Sequence, residues 1–85
     1  MYRLIIENHI PCIDEYFKHH FIIHRYQYLD ELYANIGHQD ILVCRSTTVV
    51  DEQLLQHASL KIVATASSGT DNIHKKALKN KQIQF

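Results

Sequence analysis

Short apolar runs alternate along the chain with segments whose apolar residues recur every three or four positions. The runs are four to six residues long and rich in Ile and Val, which is typical of buried strands. They lie at residues 3–7, 21–26, 41–45, 61–66 and 82–85. The pattern therefore predicts five strands.

Four helices are predicted between these runs. The first follows Pro11, because proline suits the first helical turn. The second covers 29–36, with Gly37 at the position where glycine commonly ends a helix. The third begins at Asp51, whose carboxylate can accept from free backbone N–H groups, and the fourth begins near 72–74.

Strict alternation of strands and helices indicates an α/β fold with a parallel sheet, because parallel strands need crossover connections. We predict a flavodoxin-like, Rossmann-like open sheet of five strands with helices on both faces. The sequence stops in or just after the fifth strand, so we expect the fold to lack its final helix. Residues 1–85 are expected to form most of one domain of a longer protein.

Charge and composition narrow the function classes. Nine basic residues balance nine acidic ones, which does not favour nucleic acid or a membrane surface as partner. Since the apolar runs are far shorter than a membrane span and no signal peptide is evident, we expect a cytoplasmic protein. Cys12 and Cys44 are too few for a disulfide framework, and Cys44 is expected to act as a small buried hydrophobe.

Candidate chemistry lies where two predicted strands end. Arg45, Ser46 and the two threonines at 47–48 follow the third strand, and Ser67 and Gly69 follow the fourth. In open α/β sheets, ligands bind beyond the carboxyl ends of the strands. Hydroxyls, N–H groups and one guanidinium suit an anion there. The alternative is that these residues only cap helices and form turns.

Glu7 and Asn8 end the first strand at the same edge. A carboxylate facing an anionic ligand would repel it unless the carboxylate is paired. We therefore expect these residues to position loop backbone rather than to contact a ligand.

Other site types are disfavoured. A phosphorylation receiver domain would need acidic residues at strand ends that here read Glu7-Asn8 and Arg45-Ser46. With two glycines in the chain, there is no GxGxxG or phosphate-binding loop. The histidines at 19, 20 and 24 lack a fourth ligand at a usual spacing, so no metal site is predicted.

Three stretches resemble the D-2-hydroxyacid dehydrogenase family: "IIENHIP" (5–11), "ILVCRSTTVVDEQLL" (41–55) and "KIVATASSGTDNI" (61–73). Together they cover most of the chain. The combination of RS-x-T-x-V and ATA-x-GTD is similar to the branch that oxidises a phosphorylated four-carbon hydroxy acid. The resemblance implies that residues 1–85 are most of the substrate-binding, or lid, domain.

The resemblance also implies the roles of individual residues. Ser46 and Ser67 would bind the substrate, with Arg45 and Gly69 in possible supporting roles. The catalytic residues and the glycine-rich NAD loop of the family belong to a second domain, so no catalytic or cofactor-binding residue is expected in this chain. The implied cofactor is NAD, the partner a phosphorylated small hydroxy acid, and the assembly of the full-length protein a homodimer.

Three departures from the family pattern bear on the substrate. Ser67 stands where threonine is usual, Ile6 where aspartate is usual, and His74 where a helix-capping aspartate is common. Two alternatives therefore stay open. One is a related dehydrogenase for another 2-hydroxy acid, such as 3-phosphoglycerate; the other is a non-catalytic, flavodoxin-like interaction module.

Overall fold

The structure is a computed structural model that describes residues 1–11 and 18–85. Its sheet contains four parallel strands in the order β2-β1-β3-β4. The strands are β1 (Tyr2–Glu7), β2 (Phe21–Tyr26), β3 (Ile41–Cys44) and β4 (Ile62–Thr65). Four of the five predicted strands are therefore confirmed, each to within one residue at either end.

Two helices lie between strands and a third follows β4, at the predicted places. They are α1 (Leu29–Asn35), which continues as a 3₁₀ turn (Ile36–His38), α2 (Glu52–Leu55) and α3 (Lys75–Asn80). Asp51 caps α2, since its Oδ1 accepts from the N–H of Leu54 at 3.0 Å. The helix predicted after Pro11 falls largely outside the described residues.

The strand order fixes where a ligand cleft can form. The chain passes from β1 to the edge strand β2 and then returns across β1 to β3. The direction of winding therefore reverses between β1 and β3, and the crevice at the carboxyl ends of these two strands is the usual ligand position in such sheets.

Side chains alternate across the strands to form two apolar layers. Ile5, Leu42 and Val63 point to the face that all three described helices cover, and each is at most 1% exposed. Leu4 and Ile6 point to the opposite face, where they pack with Ile10 and partly buried strand residues. The prediction of helices on both faces depends on the segment after Pro11, whose residues 12–17 lie outside the described part.

The predicted fifth strand is wrong as a strand. Gln84 forms one isolated parallel bridge to Ile62, with its N–H donating to the Lys61 carbonyl at 3.0 Å and its carbonyl accepting from Val63 N–H at 2.9 Å. Gln82, two residues before Gln84, has a φ of 59°, in the left-handed region, and turns the chain. Pairing is thereby limited to one residue, although Ile83 is buried against the core.

Gly37 does not end α1 in the left-handed conformation, because no described glycine has a positive φ. It lies inside the 3₁₀ turn instead. A Cβ at this position would lie 3.3 Å from the carbonyl oxygen of His57. The glycine is therefore explained by close packing against the segment after α2.

Replacing Leu42 with Ala tests this core. Leu42 is fully buried, so we expect a loss of about 2–5 kcal/mol in the free energy of unfolding, measured by urea denaturation. Leu29→Ala is the matched control, because Leu29 is 58% exposed and should cost about 0.5 kcal/mol or less. Equal losses in the two variants would contradict the assigned core.

Candidate functional site

The loops after β1, β3 and β4 form one edge of the sheet, here called the carboxyl rim (residues 7–10, 45–48 and 66–72). Ser46 and Ser67 meet there, since the N–H of Ser46 donates to Oγ of Ser67 at 2.7 Å. The N–H of Ser67 in turn donates to Oγ1 of Thr65 at 3.1 Å. The two predicted substrate-binding serines therefore lie side by side, and the Ser67 hydroxyl still has its own hydrogen to donate.

Asn72 connects two loops of the carboxyl rim. Its Nδ2 donates to the carbonyls of Thr48 at 2.7 Å and Arg45 at 3.2 Å. Its buried Oδ1 has no hydrogen-bond partner among the described residues. Asn72 therefore holds the Ser46 loop in place and does not replace the missing side-chain cap at His74.

Thr48 serves the interior rather than a ligand. It is 4% exposed, and its Oγ1 lies 2.7 Å from the hydroxyl of the equally buried Tyr26. Burial raises the pKa of Tyr26 to about 12, although the hydrogen bond with Thr48 opposes the shift. The hydroxyl pair is therefore neutral and fixes the end of β2 to the loop after β3.

A second polar group lies at the junction of β1 and β3 and consists of Glu7, His9 and Arg45, called the Glu7 cluster below. Glu7 is 5% exposed. Both of its carboxylate oxygens accept from the N–H of His9, at 2.9 and 3.0 Å, and Nδ1 of His9 lies 2.5 Å from Oε1. Arg45 Nη1 lies 3.5 Å from Oε2. The expectation that Glu7 positions loop backbone is confirmed by its bond to His9 N–H.

These contacts decide the charge of Glu7. Burial alone would raise its pKa, but the hydrogen bonds from His9 and the charges of His9 and Arg45 outweigh it, and the pKa lies below its usual 4.5. Arg25 of β2 stabilises the loop after β1 by donating to the carbonyls of Asn8 and Ile10, each at 3.1 Å. Glu7 is therefore an ionised carboxylate in a well-braced loop.

A cleft of about 570 Å³ opens beside the Glu7 cluster. It lies at the reversal of winding between β1 and β3, which is the position expected for a ligand. Its lining includes Glu7, His9, Tyr26, Tyr28, Arg45 and Thr47. The sequence placed Arg45 at this edge, but the part played by His9 was missed, because only a tight turn after β1 brings its ring back onto Glu7.

Gly69 is exposed, has no positive φ, and a Cβ there would meet no heavy atom within 4 Å. Gly69 therefore does not supply a left-handed turn to this loop. Its supporting role in substrate binding stays a prediction.

No group of three or more His, Cys, Asp and Glu side chains among residues 1–11 and 18–85 could hold a metal ion. Cys44 is a free, fully buried thiol, and burial raises its pKa to about 11, so it stays protonated as a small hydrophobe. None of the described helices is long and apolar enough to cross a membrane.

Comparison with known proteins decides the family. Residues 3–85 match the catalytic-domain family described as D-isomer specific 2-hydroxyacid dehydrogenase. The chain belongs to the D-isomer specific 2-hydroxyacid dehydrogenase family. Within this dehydrogenase family, the chain is similar to relatives named erythronate-4-phosphate dehydrogenase.

Two of these dehydrogenases show the extent of the similarity. The enzyme of Legionella pneumophila (strain Lens) is 39% identical over 76 residues, which are 89% of this chain and 22% of the relative. That of Chromohalobacter salexigens is 35% identical over 83 residues, 98% of this chain and again 22% of the relative. The chain thus spans about a fifth of the length of the curated relatives it matches.

Solved structures support the fold. A protein from Pyrococcus horikoshii OT3 superposes with a TM-score of 0.88 at 23% identity, over 98% of this chain and 26% of that one. A 2-hydroxyacid dehydrogenase from Ketogulonicigenium vulgare Y25 gives a TM-score of 0.74 at 18% identity, over 95% and 27%. At these identities the likeness concerns the fold alone.

The described residues of this dehydrogenase-family chain do not fit a nicotinamide dinucleotide. Such a cofactor needs a glycine-rich turn that brings backbone N–H groups to its pyrophosphate. Here β1 is followed by Glu7, Asn8 and His9, and the Glu7 carboxylate occupies the end of the strand. Neither of the two glycines lies in the turn after β1.

The lowered pKa of Glu7 predicts a pH dependence of stability. An ionised, well-paired Glu7 stabilises the fold above the usual carboxyl pKa of 4.5, and this stabilisation is lost as the pH falls through the lower pKa of the folded state. The free-energy advantage of the native chain over Glu7→Gln, measured by urea denaturation, should therefore shrink from pH 7 to pH 3. Glu52→Gln, at an exposed carboxylate, controls for the lost charge. A difference that stays constant or grows in acid would refute this.

Proposed function

We propose that this chain is the substrate-binding portion of an NAD-dependent erythronate-4-phosphate dehydrogenase. The reaction would be the oxidation of 4-phospho-D-erythronate to 2-oxo-3-hydroxy-4-phosphobutanoate, a step of pyridoxal 5'-phosphate synthesis. The observation that carries the proposal is the Ser46–Ser67 contact at the carboxyl rim, on the two loops whose sequence is similar to that branch of the family.

The geometry supports a binding role for both serines. Ser46 is exposed and Ser67 half-buried, so both hydroxyls can reach a ligand above the ends of β3 and β4. Because Ser67 accepts from the Ser46 N–H, it holds the first serine in place as well as offering its own hydroxyl hydrogen. Two adjacent hydroxyls can bind the oxygens of a short hydroxy acid.

The remaining machinery is assigned to a second domain. NAD, the catalytic residues and most of a homodimer interface would belong to that domain. The absence of a fitting dinucleotide turn after β1 is consistent with this division. Residues 1–85 would then close one side of the cleft and would not turn over substrate alone.

Two other functions compete with this one. A related dehydrogenase acting on 3-phosphoglycerate or another 2-hydroxy acid would bind its substrate at the same carboxyl rim. A non-catalytic interaction module would bind no substrate there.

The full open reading frame that carries this sequence provides the test. We expect NADH formation with 4-phospho-D-erythronate, followed by absorbance, and a higher kcat/KM than with 3-phospho-D-glycerate. Ser46→Ala should lower kcat/KM about tenfold or more, because a hydrogen bond to a charged ligand is lost. Ser67→Ala should lower it at least as much, since it also removes the acceptor of the Ser46 N–H.

Ser59→Ala is the matched control, because the Ser59 hydroxyl donates to the carbonyl of Gly37 away from the carboxyl rim. Its kcat/KM should match the native value. Unchanged kcat/KM in both rim variants would refute the assigned serines. A higher kcat/KM with another 2-hydroxy acid would show that the related dehydrogenase is the correct alternative. No turnover of any 2-hydroxy acid would favour the non-catalytic interaction module.

A further inference from the structure

The loops after β3 and β4 are joined by more than the contact between the two serines. The N–H of Val50 donates to the carbonyl of Asn72 at 2.8 Å, and the N–H of His74 donates to the carbonyl of Val50 at 2.9 Å. Val50 and Ile73 thereby form an isolated parallel bridge. The backbone around Asn72 is therefore fixed against the segment that follows Ser46, outside the four-stranded sheet.

Ser46 lies in a tight turn that spans residues 45–48. The N–H of Thr48 donates to the carbonyl of Arg45 at 3.1 Å and closes the turn. Ser46 and Thr47 are its two central residues, and both are exposed. The position of the Ser46 hydroxyl therefore depends on how this one turn is held.

The side chain of Asn72 holds the turn at both ends. Its Nδ2 carries two hydrogens and donates to two carbonyls, that of Arg45 at 3.2 Å and that of Thr48 at 2.7 Å. These are the first and last residues of the turn. A carbonyl oxygen has two lone pairs, so the Arg45 carbonyl can accept from Asn72 and from the N–H of Thr48 at the same time. Both donors of one amide group are thus used on the turn that carries Ser46.

The contact depends on N–H donors rather than on the shape of the side chain. The Oδ1 of Asn72 is buried and has no hydrogen-bond partner among the described residues, so Nδ2 makes the side-chain bonds. Aspartate has nearly the same shape, but it would place an oxygen against the two carbonyls and repel them. Glutamine keeps the donor group on a side chain that is longer by one methylene. These two substitutions therefore separate the donors from the shape.

We infer that Asn72 is a positioning residue for substrate binding, because its amide group holds the turn at 45–48 and with it the Ser46 hydroxyl. Asn72 does not contact the substrate itself, since both of its N–H groups are used and its Oδ1 is buried. The inference rests on the proposed function, which gives Ser46 its substrate. The loops after β3 and β4 then act as one unit, joined by Asn72 and by the bond from the Ser46 N–H to Ser67.

Kinetics of the full open reading frame test this role. Asn72→Ala should lower kcat/KM for 4-phospho-D-erythronate about tenfold, because a misplaced binding group loses much of its effect. Asn72→Asp should lower it further, since repulsion replaces two hydrogen bonds. Asn72→Gln should stay above Asn72→Asp because it keeps the donors. An aspartate variant that is more active than the glutamine variant would overturn the role of the donors.

Asn35→Asp is the matched control. The Nδ2 of Asn35 also donates to a backbone carbonyl, that of Glu31 at 2.8 Å, but this bond lies within α1, away from the turn at 45–48. Asn35 is half-buried, as Asn72 is. The kcat/KM of Asn35→Asp should match the native value, and a cooperative thermal transition shows that each variant is folded. Equal losses in Asn35→Asp and Asn72→Asp would overturn the inference.

A double variant separates positioning from a general loss of structure. If Asn72 acts through Ser46, Asn72→Ala should lower kcat/KM much less in a Ser46→Ala protein than in the native protein. Losses that multiply would show that the two residues act independently. That result would also overturn the inference.

Hydrogen exchange of the same full-length protein gives a readout that needs no activity. In Asn72→Ala, the amide of Thr48 should exchange faster than in the native protein, because the turn opens more often. Asn35→Asp should leave this exchange unchanged. The measurement is mass spectrometry of peptides that cover residues 45–48, and an Asn72→Ala protein with native exchange there would contradict the inference.

Failure of the proposed function and failure of this inference give different results. If the native protein oxidises no 2-hydroxy acid, the proposed function falls, and the exchange of Thr48 still decides whether Asn72 holds the turn. If the native protein is active and the Asn72 variants match it, this inference alone falls.

Discussion

Burying a carboxylate at the end of an interior strand costs free energy unless donors and cations compensate it. Glu7 lies at such a position, 5% exposed, and the carboxyl rim is arranged around its compensation. His9 turns back to give it two N–H contacts, Arg25 braces the loop that carries His9, and Arg45 approaches from the next strand. The interactions that compensate the buried Glu7 carboxylate also hold the Arg45 guanidinium at the cleft beside the Glu7 cluster.

Topology explains why this happens at one edge. Parallel pairing brings the carboxyl ends of β1, β3 and β4 together, so loops far apart in sequence become neighbours. Asn72 and the Tyr26–Thr48 pair then fix the loop after β3 from two sides. Ser46 and Arg45 thus start from a rigid position, which reduces the entropy that a ligand must offset.

The sequence alone was sufficient to predict the strands and helix starts that depend on the local pattern of residues. Ile- and Val-rich runs located β1 to β4. Asp51 marked the start of α2 because its side chain accepts from the N–H of Leu54, only three residues further along the chain. The fifth strand was wrong because pairing of 82–85 is limited by the left-handed turn at Gln82, which no apolar pattern reveals.

Within the site, residue type and strand-end position were enough to select Arg45, Ser46 and Ser67. The contact of His9 with Glu7, the inward turn of Thr48 and the bonds of Asn72 were not foreseeable in the same way. Each depends on distances between loops that are set only when the sheet has formed. The hydroxyl residues of "RSTT" look equivalent in the sequence. In the structure, Ser46 is exposed to solvent, whereas Thr48 is buried.

A crystal structure of the full protein with 4-phospho-D-erythronate bound measures the central claim most directly. The account predicts ligand oxygens within hydrogen-bond distance of the Ser46 and Ser67 hydroxyls at the carboxyl rim. A ligand that contacts neither Ser46 nor Ser67 would contradict it.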